Sequence, residues 1–224
     1  MDKILLIPAA KYKDEYEIYI PEIFKIHNTG VLNILYNIIG LPLDDFVKIY
    51  ITINKKVDNK YGIKKMLEFQ LDELNIGNKT EVIVIDDTVN VVDTILKSLS
   101  NINLLNKCGL FIKDADSNFV LNELNDENTV YTYFLEDVNQ INPSEKSYVE
   151  TTSDDIVLNI IEKRVISSEF CAGGYYFSNI INFIDLCENI YNYERLYISN
   201  VIFYDILHNN EMYRTEQVIS YNEN

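Results

Sequence analysis

Tryptophan is absent, and the chain has only two histidines, His27 and His208, and three cysteines, Cys108, Cys171 and Cys187. With so few imidazoles, a His/Cys zinc centre and a Ser-His-Asp triad have almost nothing to draw on. The cysteines are odd in number, far apart and outside any CxxC pattern, so they read as buried or free thiols in a reducing compartment. Basic residues are also few, 19 against 35 acidic ones, for a net charge of −16. That balance repels phosphate backbones and anionic membrane surfaces. No basic patch offsets it: Lys55, Lys56, Lys60, Lys64 and Lys65 read as a solvated loop running into a helix face. No nucleic-acid partner is expected. No apolar run approaches the roughly 18 residues of a membrane helix, and the first apolar stretch lacks the order of a secretory signal. A cytoplasmic protein without membrane insertion is the expectation.

Glycine is scarce too, at seven residues, and none follows the first apolar run, which leads into IPAAKYKDEY. Many α/β enzymes hold a glycine-rich phosphate loop at that place. What is present is ample apolar material, 47% of the chain, enough for one domain spanning residues 1–224. Periodicity predicts strands at 3–8, 46–54, 81–85 and 108–113, alternating with helices at 30–39, 63–74 and 91–99. This alternation predicts an α/β fold, a Rossmann-like three-layer α/β/α arrangement around a mostly parallel sheet. The second half is less regular, with strands expected at 128–135, 156–162 and 172–177, a polar loop over 136–150, and helices at 179–191 and 199–208.

Two segments carry candidate chemistry. In LFIKDADSNF, a strand delivers Asp114 and Asp116 to the carboxyl edge of the sheet, where open α/β sheets bind ligands. Spaced two apart, they share a face and suit one hard cation, or equally an Asx turn or helix cap. In IIEKRVISSEFCAGGYYF, the adjacent Lys163 and Arg164 precede Gly173 and Gly174. Bare backbone there lets a phosphate approach, and a solvated strand end is the plainer alternative.

In order, LLIPAA, YITINKK, KYGIKKMLEF, VIVIDDTVNVVDTILKSL, LFIKDADSNF, IIEKRVISSEFCAGGYYF and LYISNVIFYDIL resemble the sugar-phosphate nucleotidyltransferase family, of the GT-A-like nucleotide-diphospho-sugar transferase fold. The resemblance spans nearly the whole chain. It implies that a nucleoside triphosphate is joined to a phosphorylated sugar or small alcohol with release of pyrophosphate and the help of Mg²⁺, in the making of bacterial surface polysaccharide. It places the metal on Asp116 or its neighbour Asp114, the acceptor's phosphate on Lys163 beside Glu162, and the AG.YYF element on Ala172, Gly173, Tyr175, Tyr176 and Phe177. The segment before the third helix is represented by Thr88, Asn90, Asp93 and Thr94.

The departures fall on the triphosphate side. The family's Ala-Ala-Gly-x-Gly-(Ser/Thr)-Arg loop begins at Ala9 and Ala10 but continues Lys11-Tyr12-Lys13-Asp14-Glu15, and its Pro-Lys-Pro reads Pro21-Glu22-Ile23. The family's second metal aspartate is Asn200, a weaker Mg²⁺ ligand than a carboxylate. Three readings follow. One is an active nucleotidyltransferase in which Lys11, Lys13 and Lys163 supply the charge and Ala9, Ala10, Asn90, Asp93, Glu162, Gly173 and Gly174 line the substrates. Another is a catalytically degenerate member that binds a nucleotide-sugar or a partner enzyme as a regulatory or scaffold subunit. The third is a glycosyltransferase of related fold, which accounts for the two aspartates but not for the EK and AGGYYF segments. A homo-oligomer is compatible with each.

Overall fold

The structure is a computed structural model and describes residues 1–103, 108–137, 142–190 and 195–219. In chain order its strands are β1 Lys3–Ala9, β2 Lys48–Asn54, β3 Thr80–Ile85, β4 Gly109–Lys113, β5 Thr129–Phe134, β6 Ser147–Thr151, β7 Val157–Glu162, β8 Glu169–Phe177 and β9 Arg214–Gln217. The helices are α1 Asn33–Tyr36, α2 Lys55–Tyr61, α3 Ile63–Glu73, α4 Val91–Leu99, α5 Ile180–Ile190 and α6 Ile198–Asn209. The central sheet is mostly parallel and runs β3-β2-β1-β4-β8-β5-β9. All pairings among β3, β2, β1 and β4 are parallel, whereas β8 is antiparallel to both β4 and β5. β6 and β7 form an antiparallel hairpin joined to β8 through β6.

Alternation along β1 explains the layering. Ile4 and Leu6 pack into a core with Val92 and Ile95 of α4, Phe183 of α5 and Val201 of α6. Leu5 and Ile7 pack into a second core with Leu35 of α1 and Leu67 and Leu71 of α3. Successive strand side chains point to opposite faces, so the continuous apolar run is buried on both. The three-layer α/β/α expectation holds. Among the described residues no helix is long and apolar enough to cross a membrane.

Several expected elements differ. Within residues 30–39 only Asn33–Tyr36 is helical. The lysines expected in a loop instead build α2, capped by Asn54, whose side chain accepts from the Lys56 and Val57 amides, and closed by Gly62 at φ +67. Asn at the N-cap and a left-handed glycine at the end are the local signals that define this helix. β6 begins inside the expected 136–150 loop because Ser147, Tyr148 and Val149 are buried. β9 was not expected: RTEQ is polar and gains strand form from parallel pairing with β5. Tyr191, the expected end of the helix at 179–191, lies outside the described residues.

Candidate active site

The carboxyl ends of β1 and β4 open onto a cleft. One part is a cavity of about 530 Å³ lined by Lys11, Lys13, Asp114, Asp116, Lys146, Glu162, Lys163, Gly173 and Tyr197, among others. A second, of about 460 Å³, is lined by Lys11, Thr88, Asn90, Asp114, Asp116, Arg195 and Tyr197. Lys11, Val91, Asp114, Asp116 and Tyr197 border both, which makes them one continuous site. Five cations therefore face it, Lys11, Lys13, Lys146, Lys163 and Arg195, against four carboxylates, Asp114, Asp116, Glu145 and Glu162. In a chain of net charge −16, this is a local reversal of sign that favours anions. The sequence showed no basic patch because these residues come from four separate segments.

The turn after β4 is held from beneath. Lys113 is fully buried, and its ammonium donates to the carbonyls of Asp114 at 2.9 Å and Ser117 at 2.5 Å and to the Ser117 hydroxyl at 2.5 Å. It also lies 4.8 Å from the Phe119 ring centre. By sequence alone Lys113 reads only as the end of a strand. Its signal was a lysine closing an otherwise apolar buried run.

Opposite, β8 bulges: Tyr131 pairs with Gly174 but the next β5 residue pairs with Cys171, leaving Ala172 and Gly173 out of register. Bulges of this kind redirect the chain beside active sites. Gly173 has φ +87, and a Cβ there would lie 2.5 Å from Ser117 Oγ and 2.9 Å from Asp114 Oδ2. Its carbonyl accepts from the Asp114 amide at 2.8 Å. Only glycine fits this position, whose backbone closes on the aspartate turn.

Asp114 is half-buried and Asp116 exposed, and both border the cleft. Desolvation, reinforced by the charge of Asp116, pushes the Asp114 carboxyl above its ordinary range. Desolvation likewise pulls the Lys113 ammonium down. Among the described residues no group of three or more His, Cys, Asp or Glu is placed to hold a metal. The pair Asp114 and Asp116 nevertheless fits Mg²⁺, which keeps most of its waters and needs one or two carboxylates completed by substrate phosphates.

The remaining site residues divide. Glu162 accepts from the Ser199 hydroxyl at 2.8 Å and from that of Ser147. Lys163, at φ +57, donates to the Tyr197 hydroxyl at 2.9 Å, which holds its ammonium in the cleft. Ser147, Lys146 and Arg195 had no motif to announce them, and in LYISNVIFYDIL, which holds Tyr197 and Ser199, only Asn200 stood out. Ala9 and Ala10 are buried at the end of β1. Gly174, also buried, lies against Phe119 and Phe111. Asn90 borders the cleft, but its side chain caps α4 by accepting from the Asp93 amide at 2.9 Å. Asp93 is buried away from the cleft and accepts from the Val89 amide and Lys97, each at 2.9 Å. Asn200 accepts from the Tyr197 amide at 2.9 Å and so caps α6.

The loop after β1 turns onto α2. Lys13 pairs with Glu15 at 3.0 Å, Tyr61 donates to the Tyr16 carbonyl at 2.9 Å, and Lys60 and Tyr12 both bind Glu17. The amides of Tyr16, Ile18 and Tyr19 are spent on carbonyls of the loop itself. Lys11 is exposed and, among the described residues, makes no ion pair or hydrogen bond.

No protein-family model and no curated protein matches the chain. Solved structures do. The inositol-1-phosphate CTP transferase from T. maritima superposes with TM-score 0.70 at 15% identity over 97% of this chain and 85% of its own. The nucleoside-diphosphate-sugar pyrophosphorylase from Vibrio cholerae RC9 gives 0.66 at 12% over 95% and 91%. HddC from Yersinia pseudotuberculosis, complexed with GMP-PN, gives 0.62 at 13% over 99% and 92%. At these identities the likeness speaks to architecture, and it is consistent in kind: the chain has the fold of the sugar-phosphate nucleotidyltransferases.

Proposed function

We propose that the protein transfers a nucleotidyl group from a nucleoside triphosphate to a phosphorylated sugar or small alcohol, releasing pyrophosphate. The observation that carries this reading is the convergence of five cations and the Asp114/Asp116 pair on one cleft in a strongly acidic chain. In-line attack of the acceptor's phosphate on the α-phosphorus asks for positioning and charge stabilisation and little covalent chemistry. In this reading Lys163 and Lys146 hold the acceptor's phosphate and Glu162, fixed by its two serines, accepts a hydroxyl of the acceptor. The bulge at Gly173 and Gly174 gives that substrate close approach to backbone. Lys11 and Lys13 face the triphosphate beside Ala9 and Ala10, and Asn90 with Asp93 holds the α4 end of the nucleotide pocket in shape. Asp114 and Asp116 hold Mg²⁺, which supplies charge neutralisation at the phosphates.

A specific observation favours a second reading. The loop that ought to receive the triphosphate has no glycine and carries exposed Asp14 and Glu15, the latter paired with Lys13, and Asn200 is committed to capping α6. A protein so built binds a nucleotide-sugar without turning over, as a regulatory or scaffold subunit. The two readings separate in a pyrophosphate-release assay with each of the four nucleoside triphosphates, Mg²⁺ and a panel of sugar and small-alcohol phosphates. Release that depends on the acceptor and falls in Lys163→Ala supports transfer. No release with any pair refutes it and leaves the binding reading.

A further inference from the structure

We infer that the pyrophosphate end of the triphosphate is held by Arg195, on the segment that leads into α6, together with Lys11 across the same cavity. This rests on the transferase reading for its setting, and it adds to Lys11 an anion contact from outside the loop that the sequence points to.

Three observations carry it. First, the loop after β1 is poorly built for holding phosphates beyond Lys11, because it has no glycine, Lys13 is paired with Glu15, and Asp14 and Glu15 are exposed beside it. Second, Arg195 is exposed, lines the cavity it shares with Lys11, and among the described residues has no carboxylate, hydroxyl or carbonyl partner. A guanidinium facing a cavity without a partner presents its planar fork of donors to whatever enters, and that fork matches two phosphate oxygens at once. Third, its neighbours on the rim are cations. Lys163 is anchored in place by the Tyr197 hydroxyl at 2.9 Å, which raises its pKa, while nearby Arg195 works against that rise. Like charges gathered at one rim oppose each other until a polyanion occupies the space between them. Asp114 and Asp116 border the same cavity as Arg195 and Lys11, so a hydrated Mg²⁺ on those carboxylates would meet the phosphates that these two cations hold.

The chemical class recognised is a linear phosphoanhydride. A triphosphate and the diphosphate of a nucleotide-sugar both contain one. The test is calorimetric titration of the full chain with inorganic tripolyphosphate, pyrophosphate and orthophosphate, with and without Mg²⁺. Wild-type protein is expected to bind tripolyphosphate more tightly than pyrophosphate and orthophosphate least. Arg195→Ala should weaken tripolyphosphate binding about tenfold or more, the loss of a hydrogen bond between charged partners. Arg195→Lys keeps the charge without the fork and should fall between the two. Arg214→Ala is the control, since Arg214 pairs with Glu127 at 2.8 Å away from the cleft, and it should bind as wild type. Tripolyphosphate affinity unchanged in Arg195→Ala, or no binding by wild type, overturns the inference. Binding that depends on Arg195 in a protein that releases no pyrophosphate upholds it while removing the transferase reading.

Discussion

Replacing Gly173 by alanine tests how tightly the bulge in β8 is locked to the aspartate turn. Two costs add. The backbone sits at φ +87, where a Cβ costs about 1–2 kcal/mol. The new methyl would also lie 2.5 Å from Ser117 Oγ, and that hydroxyl cannot swing away freely because it accepts from the buried Lys113 ammonium at 2.5 Å. Displacing it forfeits a hydrogen bond to a charged group, about 1.5–3 kcal/mol. The sum is about 2.5–5 kcal/mol. Gly30 supplies the internal reference: it has φ +91 with nothing within 4 Å of a built Cβ, so Gly30→Ala carries the backbone cost alone, about 1–2 kcal/mol. Urea unfolding of wild type and both variants measures the difference. At about 2–4 °C per kcal/mol for a chain of this size, thermal melts should show Gly173→Ala well below Gly30→Ala. Equal losses in the two variants would refute the claim that Ser117, Lys113 and Gly173 form one fixed unit.

Further outcomes follow from single contacts. Asn90→Ala removes the side chain that accepts from the Asp93 amide at 2.9 Å, and should lower stability by about 1 kcal/mol in urea unfolding without unfolding the protein. Burial raises the thiol pKa of Cys108, Cys171 and Cys187 alike, so an aromatic disulfide reagent should label the three only as the protein unfolds; rapid labelling of the native protein would contradict their burial. The Lys56 ammonium, then the Asn54 amide, holds the Asp87 carboxyl below its ordinary range. A depressed carboxyl adds stability above its unfolded pKa, about 4, and that stability is lost as pH falls through the folded value. Asp87→Asn should therefore flatten the acid limb of a stability-against-pH curve slightly, since the pair is exposed.

The parallel side of the sheet was legible because its strands are buried on both faces and so read as apolar runs bounded by polar turns, as in ILLI of β1 and LFI of β4. α4 was legible for a different reason: VVDTILKSL places its buried residues at helical spacing behind an asparagine cap. What escaped was structure specified from a distance. β9 has no apolar pattern and takes its form from β5, and the bulge at Ala172 and Gly173 depends on how two strands far apart in sequence come into register. In α2 the local signals were there, Asn54 and Gly62, but the scattered lysines Lys55, Lys56 and Lys60 suggested a loop. The site divided along the same line. Asp114, Asp116, Glu162 and Lys163 sit in recognisable segments, and the fold brings them together. Lys146, Ser147 and Arg195 reach the cleft from places with no motif, Lys113 and Ser199 lie in recognisable segments without standing out in them, and Asn90 and Asp93 turn out to be occupied by capping.

Calorimetric titration with each of the four nucleoside triphosphates, with and without Mg²⁺, bears most directly on the central claim that this cleft serves nucleotidyl transfer. One triphosphate should bind, and Mg²⁺ should strengthen its binding. Binding of a nucleotide-diphospho-sugar alone, with no triphosphate bound under either condition, would contradict that claim.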